Sequence, residues 1–338
     1  MRLTESQLRN LIRKSVRRAL LEAEEAAVAP AVAPTSDSRV RWRANYSAFM
    51  SALATNASDP KVQAFIAAGK LDQDENDDKF TFNATPLAVA GLIPTQNEID
   101  IGQSLKWPLK NASYFLDYVK GAGNTFTLGG PIVTYAGKYI IDGHHRWSQL
   151  YACNKDARIS ALDITVEGLQ PLDVLKAVQA AIAIQTKSVP SQSVKGRNLL
   201  KIDKAGLASW MDSFNASPAF FANVGADEEA MNIMKSVAGD VSEAADVSEE
   251  DYVKAQKLVE NFIWVNVQDM QAKSQPIADA PKRDLMPQTD NVDWRAPLEA
   301  GLVDIAEPHA QLPESRRRGN NDRIVLERWH KLAGLIKG

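Results

Sequence analysis

Apolar side chains recur at helical spacing over most of this chain and alternate over only a few short stretches. Near the start, Leu8, Leu11, Ile12, Val16, Ala19 and Leu20 share one helical face, while Arg9, Arg13, Lys14, Arg17 and Arg18 occupy the other. Thr4 and Gln7 supply a Thr-x-x-Gln capping box at its beginning. Residues 23–38, rich in Ala, Val, Pro and Glu, carry no period and read as a linker. Trp42, Tyr46, Phe49 and Leu53, then Val62, Phe65 and Ile66, predict two helices within 41–68, broken at Ser58-Asp59-Pro60. Residues 39–85 are therefore expected to be a helical lead-in.

The pattern changes at Leu92. Leu92–Asp100 reads as a short extended stretch that ends in polar residues, and Asn111–Val119 as a helix with Phe115, Leu116 and Val119 apolar. Pro131–Tyr135 and Lys138–Ile141 are expected strands around Ala136-Gly137, a two-residue hairpin turn. Trp147, Leu150 and Tyr151 set a helix from His144 to Cys153, and Ile159–Val166 a further strand. Later helices are expected at Pro171–Ile184, Leu207–Phe221, Glu228–Val237 and Asp251–Met270, with a last one inside 312–337 after Arg316-Arg317-Arg318. Residues 239–250 read as a linker and 274–297 as a Pro- and Asp-rich loop. The expected fold class is α+β: a small mixed domain over 86–168, embedded in a largely helical chain whose 169–338 portion is mainly helical.

Composition narrows the function classes. A net charge of −3 over 338 residues argues against a protein that coats nucleic acid through bulk charge, and leaves local basic patches open. One such patch is Lys187, Lys195, Arg197, Lys201 and Lys204, which reads either as a nucleic-acid groove or as a solvated face. The single cysteine, Cys153, excludes an internal disulfide framework and any cysteine-rich zinc site. No apolar run approaches the ~18–20 residues of a membrane span, so no membrane partner is expected. The acidic run Asp72, Asp74, Glu75, Asp77 and Asp78 lacks the central glycine and terminal glutamate of a calcium loop, and reads as solvated.

The densest chemistry lies in Asp142-Gly143-His144-His145-Arg146, where a strand runs through a glycine turn into a helix. Glycine permits the sharp turn and a close ligand approach. The first amides of the helix point outward at the positive end of its dipole, a ready anion site. Arg146 adds a guanidinium suited to phosphate. His144 or His145 is a candidate phosphate donor or proton shuttle near neutral pH. Asp142 is a candidate to orient a histidine or hold hydrated Mg²⁺. The bland reading, a turn with a cap, a core histidine and an ion pair, stands beside it.

Pro131-Ile132-Val133 followed by Tyr139–Trp147 resembles the signature of the ParB/sulfiredoxin-like nucleotide-binding domain, and Pro94-Thr95-Gln96-Asn97-Glu98-Ile99 resembles that family's upstream box. The resemblance covers about residues 86–168. It implies a nucleoside triphosphate with Mg²⁺ as cofactor, and nucleotide or DNA as partner. It assigns phosphate contact to Gly143, His144, His145 and Arg146, with Gln96 and Glu98 on the facing wall. Glu98 becomes the general base or metal-holding carboxylate, with Asp142 as second metal candidate and the histidines as further catalytic candidates. The family's sulfinic-acid reductases carry cysteine where this chain has histidine, so that activity is not implied. Three function classes follow: a nucleotide hydrolase or phosphotransferase, a non-catalytic binding module for DNA or virion protein, and a DNA-nicking nuclease.

Residues 1–22 resemble leaders on head-associated proteins of tailed phages, which a prohead protease removes after Leu or Ile, any residue, then Glu. Leu20-Leu21-Glu22 before Ala23 matches that pattern, so Glu22 and Ala23 mark the expected processing site. The resemblance implies phage head proteins as partners and a place in the virion head or host cytoplasm. A helix that docks on some other partner is the competing reading.

Overall fold

A computed structural model of the chain describes residues 53–54, 57–58, 79–188, 196–214, 216–239, 251–283, 286–301 and 303. The leader with its processing site at Glu22 and Ala23, the linker, nearly all of the helical lead-in, the acidic loop and the last helix lie outside the described residues.

Six strands form one mixed sheet: β1 Thr81–Ala88, β2 Ile93–Pro94, β3 Thr125–Phe126, β4 Ile132–Tyr135, β5 Tyr139–Asp142 and β6 Arg158–Thr165. The order is β1-β6-β4-β5-β2, with β3 paired to the start of β6 on the edge that β4 also uses. β1 runs antiparallel to β6 over its whole length, and β4 antiparallel to β5. β2 lies parallel to β5, so both strands end at the same edge of the sheet. The β4–β5 turn has Ala136 and Gly137 both left-handed (φ 53° and 63°), and Lys138 N–H donates to Tyr135 O at 3.1 Å. That is the hairpin geometry whose twist matches paired strands.

Nine helices are present among the described residues: α1 Ile101–Lys110, α2 Ala112–Lys120, α3 His144–Cys153, α4 Pro171–Thr186, α5 Lys204–Phe214, α6 Pro218–Gly225, α7 Glu228–Ala238, α8 Asp251–Lys273 and α9 Arg295–Glu299. The architecture is α+β. Side chains alternate across each strand, and each face of the sheet is covered. Ile132, Ile140 and Ile159 face a core shared with α1–α3 and α5–α8. Val133, Tyr135, Ile141 and Ile164 face the other way, onto α4 and α9. Helix α4 is buried along most of its length, including an ion pair with Lys176 Nζ 3.9 Å from Asp173 Oδ1. Burial draws the Lys176 pKa down to about 7, against the pull of Asp173.

Three expectations change. Strand β1 begins inside the segment read as helical. It is an edge strand with much of its length exposed, so its apolar positions are few, and Pro86 fits only because an edge need not donate every bond. Helix α1 has no counterpart in the sequence reading, because Gly102 and Pro108 mask its Ile101, Leu105 and Leu109 spacing. The expected single helix 207–221 is two, α5 and α6, separated where Ser217 caps Phe220 N–H ahead of Pro218.

Candidate functional site

The corner forms where β5 ends and α3 begins, beside the end of β2. Gly143 is the N-cap of α3 with φ 92° and ψ 23°, and no side chain caps the helix. A Cβ there would lie 2.5 Å from Ile132 Cγ2. Glycine is thus required twice, by its left-handed backbone and by the space. The helix is then pinned from below. Trp147 is fully buried and its Nε1 donates to Val89 O at 2.9 Å. Asn266 of α8 donates to Ala152 O, and Tyr151 donates to Asp269 of α8.

The loop Thr95–Asp100 leaves β2 and crosses the first turn of α3. Thr95 N–H donates to His144 Nε2 at 3.2 Å, while its hydroxyl donates to Ile140 O at 2.5 Å. Asp100 N–H donates to His145 Nε2 at 3.4 Å. A backbone amide can only donate, so both Nε2 atoms are unprotonated acceptors and each proton sits on Nδ1. Burial, with the neighbouring imidazole, lowers the His144 pKa to about 3. Burial and Arg283, opposed by Asp100, lower that of His145 to about 4.

These contacts correct the histidine expectation. Both imidazoles are neutral at pH 7, so neither exchanges protons near neutrality, and His144 is only 3% exposed. They act as two posts that hold the opposing loop at its ends. Gln96 and Glu98 lie between the posts. Gln96 is buried and donates to the Glu98 carbonyl, which braces the loop from inside rather than offering an open wall. Glu98 Oε2 is buried and has no hydrogen-bond partner among the described residues.

Asp142 does not orient a histidine. Its Oδ2 accepts from Thr289 N–H at 3.2 Å and from the Thr289 hydroxyl at 2.5 Å, and stands 3.8 Å from Arg146. Arg146 donates to Gly130 O at 3.3 Å and lies 3.8 Å from Asp290, a residue 74% exposed. Both ion pairs are long, and the one to the exposed Asp290 is of the surface kind that contributes about 0–1 kcal/mol.

A strap from the C-terminal half completes the corner. Ile277 N–H donates to Pro94 O, Asn97 N–H to Pro281 O, and Arg283 lies 3.6 Å from Asp100 Oδ2. Thr95, Asp100, Arg283, Thr289 and Asp290 escaped the sequence reading. Only Asp100 carried a local signal: Asp-x-x-Gln before an apolar run, and its side chain does accept from Gln103 N–H at 2.8 Å. The strap residues reach the site from far along the chain: Thr289 and Asp142 are separated by 147 residues, and the contacts to Pro94, Asn97 and Asp100 span more.

Among the described residues, no three His, Cys, Asp or Glu side chains cluster as a ready metal cage. Compared with protein-family models, curated proteins and solved structures, the chain matches none. The fold and corner define an α+β protein in which α3 starts without a side-chain cap, beside Arg146 and a strap from the C-terminal half. No described helix is long and apolar enough to cross a membrane.

Proposed function

We propose that this corner binds the phosphate of a nucleotide or of nucleic acid and assists phosphoryl transfer or hydrolysis. The observation that carries the reading is the start of α3: a left-handed glycine, no side-chain cap, and a guanidinium held by one hydrogen bond to Gly130 O and two long ion pairs. Uncapped amides and the helix dipole favour an anion there. Arg146 would take a phosphate oxygen in exchange for Asp290.

The corner also holds more acid than base. Asp100, Asp142 and Asp290 stand against Arg146 and Arg283, Glu98 adds a fourth carboxylate on the loop between the posts, and the histidines are neutral. That balance suits a phosphate that arrives with a divalent cation. Mg²⁺ commonly uses one or two carboxylates plus the ligand's own phosphates. Glu98, with its unbonded oxygen, fits such a role, whereas Asp142 Oδ2 is committed to Thr289. Bound there, Mg²⁺ would neutralise developing charge on the phosphoryl oxygens. Glu98 would accept the proton of the attacking water, His144 and His145 would hold its loop in place, and Arg146 would orient the phosphate.

Calorimetry with nucleoside triphosphates, with and without Mg²⁺, together with phosphate release, tests this. Arg146→Ala should weaken binding about ten-fold or more, the scale of losing a charge-assisted contact. Glu98→Gln should lose about 10²-fold or more in turnover and weaken the Mg²⁺-dependent part of binding. No heat with any nucleotide, or affinity untouched in Arg146→Ala, overturns the reading. Binding without turnover in the wild type leaves the non-catalytic module.

A further inference from the structure

Helix α1 starts at the corner and turns one continuous face to solvent: Gln103, Lys106, Trp107 and Lys110 are all exposed. These positions follow the i, i+3, i+4, i+7 rule of a single helical face, normally the apolar one in a core helix. Here it carries two lysines, a tryptophan and no carboxylate. Trp107 is 52% exposed and Tyr114, at the start of α2, is 47% exposed. Their rings lie 5.7 Å apart and tilted by 49°, with Tyr118 6.5 Å from Tyr114 on its own helix, and about half of each side chain stays in solvent. Lys110 Nζ stands 5.7 Å over the Phe214 ring, which itself stacks on Trp210. At the other end, a Cβ on Gly102 would meet Asp100 Oδ1 at 3.0 Å and Lys106 Nζ at 3.5 Å. The Lys106 ammonium thus sits beside the carboxylate that caps α1, at the edge of the corner.

We infer that this face is a seat for single-stranded nucleic acid, whose backbone runs from Lys110 past Lys106 towards Arg146 while bases stack on Trp107 and Tyr114. The inference rests on the phosphate reading of the corner and gives its ligand a polymer class. Stacking on exposed rings beside a basic track is how single strands are held without sequence preference. Protein interfaces use exposed aromatics too, but are depleted in lysine. Duplex fits poorly, because its bases are already stacked. Asp100 at the Lys106 end, Asp117, three residues after Tyr114, and Asp212, beside Phe214, are carboxylates that border the track. Trp107 lies about 10 Å along α1 from Asp100 at 1.5 Å per residue, so one chain can reach both places.

Fluorescence anisotropy with a labelled oligothymidylate, its duplex, and a competing mononucleotide tests it. The oligonucleotide should bind more tightly than either competitor. Trp107→Ala should weaken it about ten-fold, Trp107→Phe should restore most of that loss, and mononucleotide affinity should not move in either. Lys106→Gln with Lys110→Gln should flatten the salt dependence by about 1.4 in the log–log slope, at about 0.7 per lost contact. An oligonucleotide that binds no better than the mononucleotide, an affinity indifferent to Trp107→Ala, or equal binding of duplex overturns the inference. Mononucleotide binding indifferent to Arg146→Ala, with oligonucleotide binding still lost in Trp107→Ala, overturns the corner reading while supporting the seat.

Discussion

Two helices begin in the same corner, and they begin differently. Helix α1 is closed by its own sequence: Asp100 accepts from Gln103 N–H, and the same carboxylate lies 3.6 Å from the buried Arg283. Helix α3 is left open: its N-cap is a left-handed glycine without a side chain to offer. A single polar residue at position 143 could have closed it in the way Asp100, Ser217 and Asp227 close α1, α6 and α7. Instead the space a side chain would need is filled by Ile132. The contrast separates a helix start closed by its own side chain from one whose first amides have no side-chain acceptor. The histidines join the two, since His145 takes the Asp100 amide and His144 the Thr95 amide.

The largest expected effect breaks the open start itself. Gly143→Ala forces a Cβ to within 2.5 Å of Ile132 Cγ2 at a φ of 92°. The clash and the left-handed backbone together should cost about 3 kcal/mol. Denaturant unfolding reads this directly, and a variant of wild-type stability would show that the corner is plastic rather than fixed. The closed start should respond less. Asp100→Ala removes a cap worth about 1 kcal/mol, and any loss beyond that reports the carboxylate beside Arg283. A loss confined to the cap alone would show that Arg283 is indifferent to Asp100.

The third effect is spread over pH and concerns the posts. Both histidines have folded pKa values, about 3 and about 4, below the ordinary 6.5. The unfolded chain therefore binds more protons as pH falls. The stability they supply is full above pH 6.5 and is lost as pH drops towards 4, by about 1.4 kcal/mol per pH unit for each histidine. His144→Gln should remove one histidine's share of that slope between pH 6.5 and 4.5 in melts followed by circular dichroism. An unchanged slope would mean that His144 already carries a proton in the folded protein.

Regular periods were legible, irregular joints were not. Helix α3 falls where Trp147, Leu150 and Tyr151 place it, and β4, the hairpin turn and β5 lie within a residue or two of their alternating stretches. The α+β class follows from the same signals. Strand β1 was hidden because an edge strand has little to bury, and α1 because Gly102 and Pro108 disguise its three apolar positions. At the corner, Gly143 and Arg146 stand at the helix start where local chemistry puts them. The behaviour of the histidines was not legible. Two adjacent imidazoles look like proton carriers in sequence, and only their burial under the Thr95–Asp100 loop makes them neutral acceptors.

By itself the sequence determined that β5 must turn sharply at Gly143 into a helix, and that an arginine would ride on its first turn. Those outcomes depend on residues that are neighbours in the chain. What surrounds that turn was decided by tertiary structure. Thr289, Asp290 and Arg283 reach the corner because α8 packs on α3 and hands the chain back across the ends of β2 and β5. Their contribution depends on burial and distance, which no local pattern of residues encodes.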